Sequence, residues 1–219
     1  MIEVKRLRLA YGEHVLAADV NFHIKGGECL LIAGPNGCGK STLLKVLACG
    51  GMHAKCLLIP TNIPKVKGFT VEEFVRTACF RESNWAGRLN AETERRLQGA
   101  LGLLGLQGLA TQDISTLSDG EFQKACIAVG LTRRADILLL DEPTAFLDVE
   151  NRIMVLQTLR RVVRETGMAV LFSSHDLQDS LQVAHRVLAF TPGGGFLEST
   201  AEDRETVLQA AFPSYSAKA

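Results

Sequence analysis

The sequence predicts an α/β fold whose core is a mostly parallel β-sheet. Short apolar runs, each long enough for one buried strand, alternate along the chain with stretches of helical periodicity. One such run, residues 29–33, leads through a glycine-rich turn into a helical pattern that begins near Lys40. Strands that are apolar on both faces are typical of parallel sheets covered by helices. We therefore expect strands and helices to follow one another in the core.

The individual elements follow in order along the chain. Residues 2–10 and 15–24 predict two strands joined by a turn at Tyr11-Gly12, and the tight turn 25–28 leads into the buried strand 29–33. Further strands are predicted at 55–60, 137–141, 168–173 and 186–190. Helices are predicted from Lys40 to Cys49-Gly50-Gly51, over 152–164 and over 177–184. Thr200-Ala201-Glu202-Asp203 resembles a capping box for a last helix.

Residues 70–130 predict a helical subdomain. Val71, Phe74, Val75 and Ala78 would share one helix face, and Leu97, Leu101 and Leu104 another. We expect this region to be inserted in one domain that covers residues 1–219.

Composition excludes several classes of function. Lys plus Arg and Asp plus Glu number 24 each, so no net charge favours nucleic acid or acidic lipid. No apolar run is long enough to span a membrane, and the first residues lack the apolar segment of a signal peptide. The six cysteines show no metal-type spacing, and free thiols fit a reducing cytoplasm.

The glycine-rich turn matches the phosphate-binding pattern G-x-x-x-x-G-K-[ST]. A strand precedes it and a helix follows it, which is the context that this pattern requires. Its backbone N–H groups and the helix N-terminus would bind phosphate oxygens. Lys40 would contact the β and γ phosphates, and Ser41 would offer its hydroxyl to Mg²⁺. The residues of the loop are Gly34, Pro35, Asn36, Gly37, Cys38, Gly39, Lys40, Ser41 and Thr42.

Two acids end the buried strand 137–141. Asp141 could hold the Mg²⁺ shell, and Glu142 would lie where a hydrolytic water is needed, because ligands gather at the carboxyl ends of parallel strands. Taken alone, Ser118 would be an N-cap, His175 a capping or packed residue, and Asp148 part of an ordinary turn.

Taken together and in this order, the stretches Leu117-Ser118-Asp119-Gly120-Glu121, Asp141-Glu142, Ala145-Phe146-Leu147-Asp148 and Ser173-Ser174-His175-Asp176 closely resemble the ATP-binding cassette (ABC) family. They correspond to its signature, Walker B, D-loop and switch histidine, and the phosphate loop to its Walker A motif. The resemblance covers Tyr11 to about Phe190 and implies a RecA-like P-loop core with an N-terminal antiparallel β part.

The resemblance also implies how the site residues work. Two copies would pair head to tail around two ATP molecules, with Ser118 and Gly120 on the γ-phosphate held by the partner's Lys40. Tyr11 would stack on adenine, although a plain strand-end tyrosine remains an alternative. Asp148 would act across the dimer and His175 would contact the γ-phosphate. Catalysis would combine positioning with charge neutralisation, and Glu142 would orient or deprotonate the water.

One branch of the family is especially similar. It energises bacterial import of iron–siderophore complexes, haem and cobalamin, and it resembles this chain at Trp85-Ala86-Gly87-Arg88-Leu89 and at Thr144-Ala145-Phe146-Leu147-Asp148. The implied partners are membrane permease subunits and, indirectly, a substrate-binding protein, with no nucleic acid. The implied location is the cytoplasmic face of the membrane.

Three departures keep other hypotheses open. Thr61 stands where the family has a glutamine that helps to hold Mg²⁺, and the segment before Thr61 is shorter than usual. Asp119 replaces the first signature glycine and brings a carboxylate near the triphosphate. One alternative is a nucleotide-gated subunit with weak hydrolysis and impaired coupling. Another is an ABC ATPase outside transport, which the single cassette and zero net charge disfavour.

Overall fold

The computed structural model describes residues 2–49, 55–83 and 88–213. These residues fall into two compact units. The first contains Met1–Thr61, Asp136–Ala145 and Leu159–Ala219, and the second contains Asn62–Ala135 and Phe146–Thr158. That residues 1–219 act as a single domain with a helical subdomain at 70–130 stays a prediction.

The first unit contains two β-sheets. β1 (Ile2–Tyr11) and β2 (His14–Ile24) pair antiparallel in a two-stranded sheet. The other sheet has the strand order β4-β5-β6-β3-β7-β8, and every neighbouring pair is parallel except β7 with β8. Its strands are β3 (Cys29–Ala33), β4 (Cys56–Ile59), β5 (Ile137–Leu140), β6 (Ala169–Ser173), β7 (Arg186–Thr191) and β8 (Gly195–Glu198). The predicted α/β class with a mostly parallel sheet is confirmed.

Seven α-helices lie within the described residues. They are α1 (Lys40–Cys49), α2 (Val71–Arg76), α3 (Ala91–Leu104), α4 (Asp119–Thr132), α5 (Val149–Thr166), α6 (Leu177–Val183) and α7 (Arg204–Ala211). None of the helices in these ranges is both long and apolar enough to cross a membrane.

The core of the first unit explains why the two sheets fold together. Leu9, Val20 and Phe22 of the small sheet belong to the same buried cluster as Leu30 and Ile32 of β3. The apolar side of α1 joins this cluster through Leu43, Leu44 and Leu47. Helix α1 is therefore held against both sheets, and the loop that precedes it is anchored at both ends.

In the second unit, α4 contacts both α2 and α3. Leu97, Leu101 and Leu104 of α3 are almost fully buried, as their spacing predicts. Helix α2 is shorter than the apolar face predicted, because the chain changes to a 3₁₀ helix at Thr77–Glu82. After this change Cys79 is fully buried, whereas Ala78, which was predicted on the apolar face, is only half-buried.

The prediction of a capping box at Thr200–Asp203 was wrong. Helix α7 begins one residue after this tetrapeptide, and Asp203 occupies the N-cap position without a side-chain capping bond. The Asp203 carboxylate instead accepts from the backbone N–H (2.6 Å) and hydroxyl (2.8 Å) of Thr200. The two side chains close a local turn before the helix, a use of Thr and Asp that competes with helix capping.

Candidate nucleotide-binding site

The phosphate-binding loop occupies residues 34–39, between the end of β3 and the start of α1. Strand β3 lies between β6 and β7 in the sheet, so the loop starts at its interior. Gly34 has a φ of 153°, and an added Cβ would lie 2.7 Å from Cys38 Sγ and 2.9 Å from Phe190 Cβ. Only glycine fits at that position, where the chain turns sharply away from the sheet.

Lys40 is almost fully buried at the first turn of α1. Its ammonium group donates to the backbone carbonyls of Gly34 (2.9 Å) and Pro35 (3.2 Å). The lysine thus ties the start of the helix to the start of the loop. An ammonium group that backbone carbonyls hold in place is a preorganised cation for phosphate oxygens.

The carboxylate of Asp141 connects α1 to two strands. Asp141 Oδ1 accepts hydrogen bonds from the hydroxyl of Ser41 (3.0 Å) and from that of Ser173 (2.9 Å). Ser41 lies in the helix after β3, Asp141 directly follows β5 and Ser173 ends β6. These strands are neighbours in the sheet, so their carboxyl ends bring the three residues together. Ser41 and Asp141, predicted as metal ligands, are therefore adjacent.

Glu142 has an unusual backbone conformation. Its φ is 50°, in the left-handed region that non-glycine residues seldom adopt, and its N–H donates to Ser173 Oγ (2.9 Å). One carboxylate oxygen lies 2.5 Å from Nε2 of His175. Strained backbone held by such contacts is typical of functional sites.

An open cleft of about 410 Å³ lies beside these residues. Its lining includes Tyr11 and Glu142 together with Asn36, Gly37, Gly39, Lys40, Ser41 and Thr42 of the loop. Tyr11 is 78% exposed, so its ring is available for stacking. The lining also includes His14 and Leu16 of β2, which the sequence analysis did not single out. The predicted turn at Tyr11-Gly12 could have indicated His14, because Tyr11 and His14 pair with each other across β1 and β2.

The remaining predicted site residues belong to the second unit. Ser118 is the N-cap of α4 and forms a full capping box with Glu121. Gly120 is buried against the start of α5, because an added Cβ would lie 2.4 Å from Asn151 Oδ1. Asp148 is exposed, and its carboxylate accepts from the backbone (2.8 Å) and the side-chain amide (3.0 Å) of Asn151.

Asp119, the departure from the signature glycine, has a cationic neighbour. Its carboxylate lies 2.6 Å from the ammonium group of Lys65. The same ammonium donates to the carbonyl of Leu117 (2.7 Å) and lies 5.6 Å from the centroid of the Phe122 ring. Lys65 therefore contacts residues on both sides of Ser118.

The cysteines of the described residues are free. Burial raises the pKa of the Cys29 and Cys126 thiols to about 12, so both stay protonated. Burial also raises the pKa of Cys38 in the loop, although Lys40 acts in the opposite direction. Among the residues that the structure describes, no three His, Cys, Asp or Glu side chains form a metal-type cluster.

The parallel sheet, the loop between β3 and α1 and the acids after β5 define a P-loop nucleoside triphosphatase. The ABC transporter family model matches residues 17–145, which is more than half of the chain. The chain therefore belongs to the ABC transporter family, as an ATP-binding and ATP-hydrolysing subunit.

Relatives and solved structures agree with this assignment. The chain is 33% identical to the Iron(3+)-hydroxamate import ATP-binding protein FhuC of Bacillus subtilis, over 91% of this chain and 82% of that protein. It is 32% identical to the Petrobactin import ATP-binding protein FpuC of Bacillus anthracis, over 88% and 79%. A solved structure described as a metal-chelate type ABC transporter, inward-facing, superposes with a TM-score of 0.85 at 25% identity, covering 97% of this chain and 88% of that one.

Proposed function

We propose that this chain hydrolyses ATP in a head-to-tail dimer and drives a separate membrane permease that imports an iron chelate. The observation that carries the ATPase part is the continuous set of contacts among Ser41, Asp141, Ser173, Glu142 and His175. Each contact is between 2.5 and 3.0 Å, and the set begins at the helix that follows the phosphate loop. Ser173 thereby connects the pair proposed to bind Mg²⁺, Ser41 and Asp141, with the pair proposed to activate water, Glu142 and His175.

Each residue has a separate task in this proposal. Lys40 and the backbone of residues 34–39 bind the β and γ phosphates, and Tyr11 supplies a face for the adenine ring. Glu142 accepts a proton from the attacking water, and His175 holds the Glu142 carboxylate and contacts the γ-phosphate.

Mg²⁺ fits the donor set next to Lys40. Ser41 and Asp141 present a hydroxyl and a carboxylate oxygen 3.0 Å apart, and Mg²⁺ prefers such hard oxygen ligands, completed by phosphate and water. When bound, the ion neutralises negative charge on the phosphates during transfer. Ser173 keeps the Asp141 carboxylate in place from the other side.

The second copy is proposed because three site residues lie in the second unit. Ser118 caps the N-terminus of α4, Gly120 lies in the first turn of that helix, and Asp148 directly precedes α5. In a head-to-tail pair these helix ends would face the ATP held by the other copy, which makes closure dependent on ATP. The location that follows is the cytoplasmic face of the membrane, through the permease.

The cargo is proposed from the two relatives that import an iron(3+)-hydroxamate and petrobactin. Both match nearly the full length of this chain at 32–33% identity. The Thr144–Asp148 stretch has the sequence on which the resemblance to this branch rests. The other such stretch includes residues 84–87, which lie outside the described residues. Haem belongs to the proposed class of iron chelates, and cobalamin is the alternative cargo that the resemblance implies. A binding protein would deliver the cargo to the permease.

A second function, nucleotide-gated closure with weak hydrolysis, is favoured by one observation. Thr61 lies in a bend two residues after the end of β4 and is half-buried, where the family has a longer glutamine that helps to hold Mg²⁺. A threonine hydroxyl is too short for that task. Hydrolysis in this chain would then depend on Ser41 and Asp141 alone as protein ligands.

The decisive experiment compares ATP hydrolysis by the parent chain with that by Glu142→Gln, with dimerisation measured by light scattering. We expect Mg²⁺-dependent turnover in the parent, and at least about a hundredfold less in the variant, which should dimerise with ATP. Binding of ATP without turnover by the parent would favour the nucleotide-gated alternative. Turnover in Glu142→Gln equal to that of the parent would contradict the proposed role of Glu142.

The cargo is tested separately by growth under iron limitation. Deleting the gene should abolish growth on one ferric siderophore as the iron source. The parent gene should restore that growth, whereas the Glu142→Gln gene should not. Normal growth of the deletion strain on every ferric chelate would contradict iron chelate import and leave the ATPase assignment intact.

A further inference from the structure

The signature stretch of this chain carries an acidic residue at a helix N-terminus, where negative charge stabilises the helix but would repel an approaching triphosphate. Asp119 is the first residue of α4, directly after Ser118, and its side chain is 66% exposed. Glu121 adds a second carboxylate to the same turn, where it completes the capping box. These charges oppose the partial positive charge of the helix N-terminus, which would otherwise attract phosphate.

Lys65 supplies a positive charge to this helix end from a distant part of the sequence. It lies in the irregular segment between β4 and α2, and its side chain is only 26% exposed. Three contacts fix its ammonium group: the Asp119 carboxylate at 2.6 Å, the Leu117 carbonyl at 2.7 Å and the Phe122 ring at 5.6 Å. Such a set of contacts holds a lysine in one place, unlike a single ion pair at the surface.

We propose that Lys65 is a positioning residue of the signature stretch, which neutralises Asp119 so that α4 can approach the triphosphate bound by a second copy. The inference rests on the proposed function, because that function supplies the second copy. It explains how an aspartate is tolerated at a glycine position. It also assigns a task to the segment that follows the shortened stretch before Thr61.

Two properties distinguish this role from a contribution to stability. The Asp119 carboxylate is 66% exposed, so water screens its attraction to Lys65, and losing that attraction should affect nucleotide-dependent closure much more than unfolding. In addition, most of the effect of Lys65 should require the charged Asp119. Glu121, the other carboxylate of this turn, also has the charge of Lys124 nearby, so it depends less on Lys65.

The test measures the ATP concentration that half-saturates dimerisation, with every substitution made in the Glu142→Gln chain. Lys65→Met should raise this concentration about tenfold, the effect expected of one uncompensated charge near the phosphates. Adding Asp119→Asn to the Lys65→Met chain should bring the half-saturating ATP concentration back to within about twofold of the value for Glu142→Gln alone, because the effects of coupled residues are not additive. Lys67→Met, which removes the same charge from the same segment, is the matched control and should change nothing. High salt should reduce the effect of Lys65→Met.

The variant with both Lys65→Met and Asp119→Asn also controls for misfolding. If it dimerises, Lys65→Met does not by itself prevent the chain from folding. Two results would overturn the inference and leave the proposed dimer intact. In the first, Lys65→Met has the same effect as Lys67→Met. In the second, the effect of Lys65→Met is unchanged by Asp119→Asn. If Glu142→Gln itself failed to dimerise with ATP, the proposed head-to-tail dimer would be wrong and the inference with it.

Discussion

Ser173 donates its hydroxyl proton to Asp141 and accepts the backbone N–H of Glu142, both at 2.9 Å. One fully buried hydroxyl at the end of β6 thus orients the two acids that end the neighbouring strand β5. The hydrogen bond that Ser173 donates holds the Asp141 carboxylate oxygen that also accepts from Ser41. The acceptor side holds Glu142 in its left-handed conformation.

We expect Ser173→Ala to lower kcat at least about tenfold, because it removes two buried hydrogen bonds worth about 1 kcal/mol each and both acids would be less well oriented. The change should affect kcat more than KM, since Lys40 and the loop remain intact. Steady-state ATP hydrolysis measures both constants. Ser174→Ala is the matched control, because the Ser174 hydroxyl bonds only the backbone of Asp176 among the contacts described. Equal effects of the two substitutions would contradict the role given to Ser173.

We expect Gly120→Ala to prevent ATP-dependent dimerisation while the chain still binds ATP. The new methyl group would lie 2.4 Å from Asn151 Oδ1 and 3.0 Å from Met154 Cε, so the Asn151 side chain must move and lose its hydrogen bond to Asp148. Dimerisation is measured by light scattering in the Glu142→Gln chain. Gly99→Ala in α3 is the control, because nothing lies within 4 Å of its added Cβ. That control should raise stability by about 0.5–1 kcal/mol, and normal dimerisation of Gly120→Ala would refute the prediction.

We expect Glu28→Gln to destabilise the chain by about 1–3 kcal/mol at pH 7, because it weakens a contact to the buried Arg186. Arg186 lies 2.6 Å from the Glu28 carboxylate, contacts Glu198 and donates to the carbonyl of His23 (2.8 Å). Urea unfolding followed by circular dichroism measures the loss. Glu205→Gln, a loss of the same charge at an exposed site in α7, should leave stability nearly unchanged.

The effect of Glu28→Gln should also depend on pH. Burial tends to raise the pKa of Glu28, but the hydrogen bonds from Arg186 and the Lys25 backbone lower it below its ordinary value of 4.5. The folded state therefore favours the charged carboxylate. The stabilisation is complete above pH 4.5 and is lost as the pH falls through the lowered value. The difference between parent and variant should shrink over this acid range, and a constant difference would contradict the explanation.

We expect thiol labelling at pH 8 to separate the cysteines of the native chain. Cys49 is exposed and should react first, whereas Cys29 and Cys126 are buried with pKa values of about 12 and should react only after unfolding. Cys38 should react at an intermediate rate, and ATP should slow it at least about tenfold by covering the loop. Mass spectrometry of alkylated peptides gives each rate. Equal labelling of Cys38 with and without ATP would contradict phosphate binding by residues 34–39.

Local sequence patterns were enough to predict the main segments of the candidate site. The phosphate loop, the acids after strand 137–141 and the cap at Ser118 are each defined by residues close together in sequence. The sheet then brings the strand ends together, since β5, β6 and β3 are neighbours. The α/β class followed from the same alternation of apolar runs and helical periodicity.

The contacts that needed the structure join residues far apart in sequence. Nothing in the periodicity around Lys65 indicates that its ammonium lies on Asp119, or that Asn151 lies against Gly120. Ser173 was visible only as part of the stretch before His175. Local chemistry also misled at Thr200–Asp203, because the same two side chains can form a turn or cap a helix, and the helix begins too late for the second arrangement.

The position of β3 in its sheet affects how the chain can acquire its site during synthesis. The phosphate loop leaves the ribosome early, yet both neighbours of β3, which are β6 and β7, are among the last strands to be made. Parallel pairings between such distant segments form slowly. Until they form, the nascent chain exposes an apolar strand that is prone to aggregate. A chain truncated before Ala169 would contain the complete phosphate-loop motif and yet lack both strands that hold it in place.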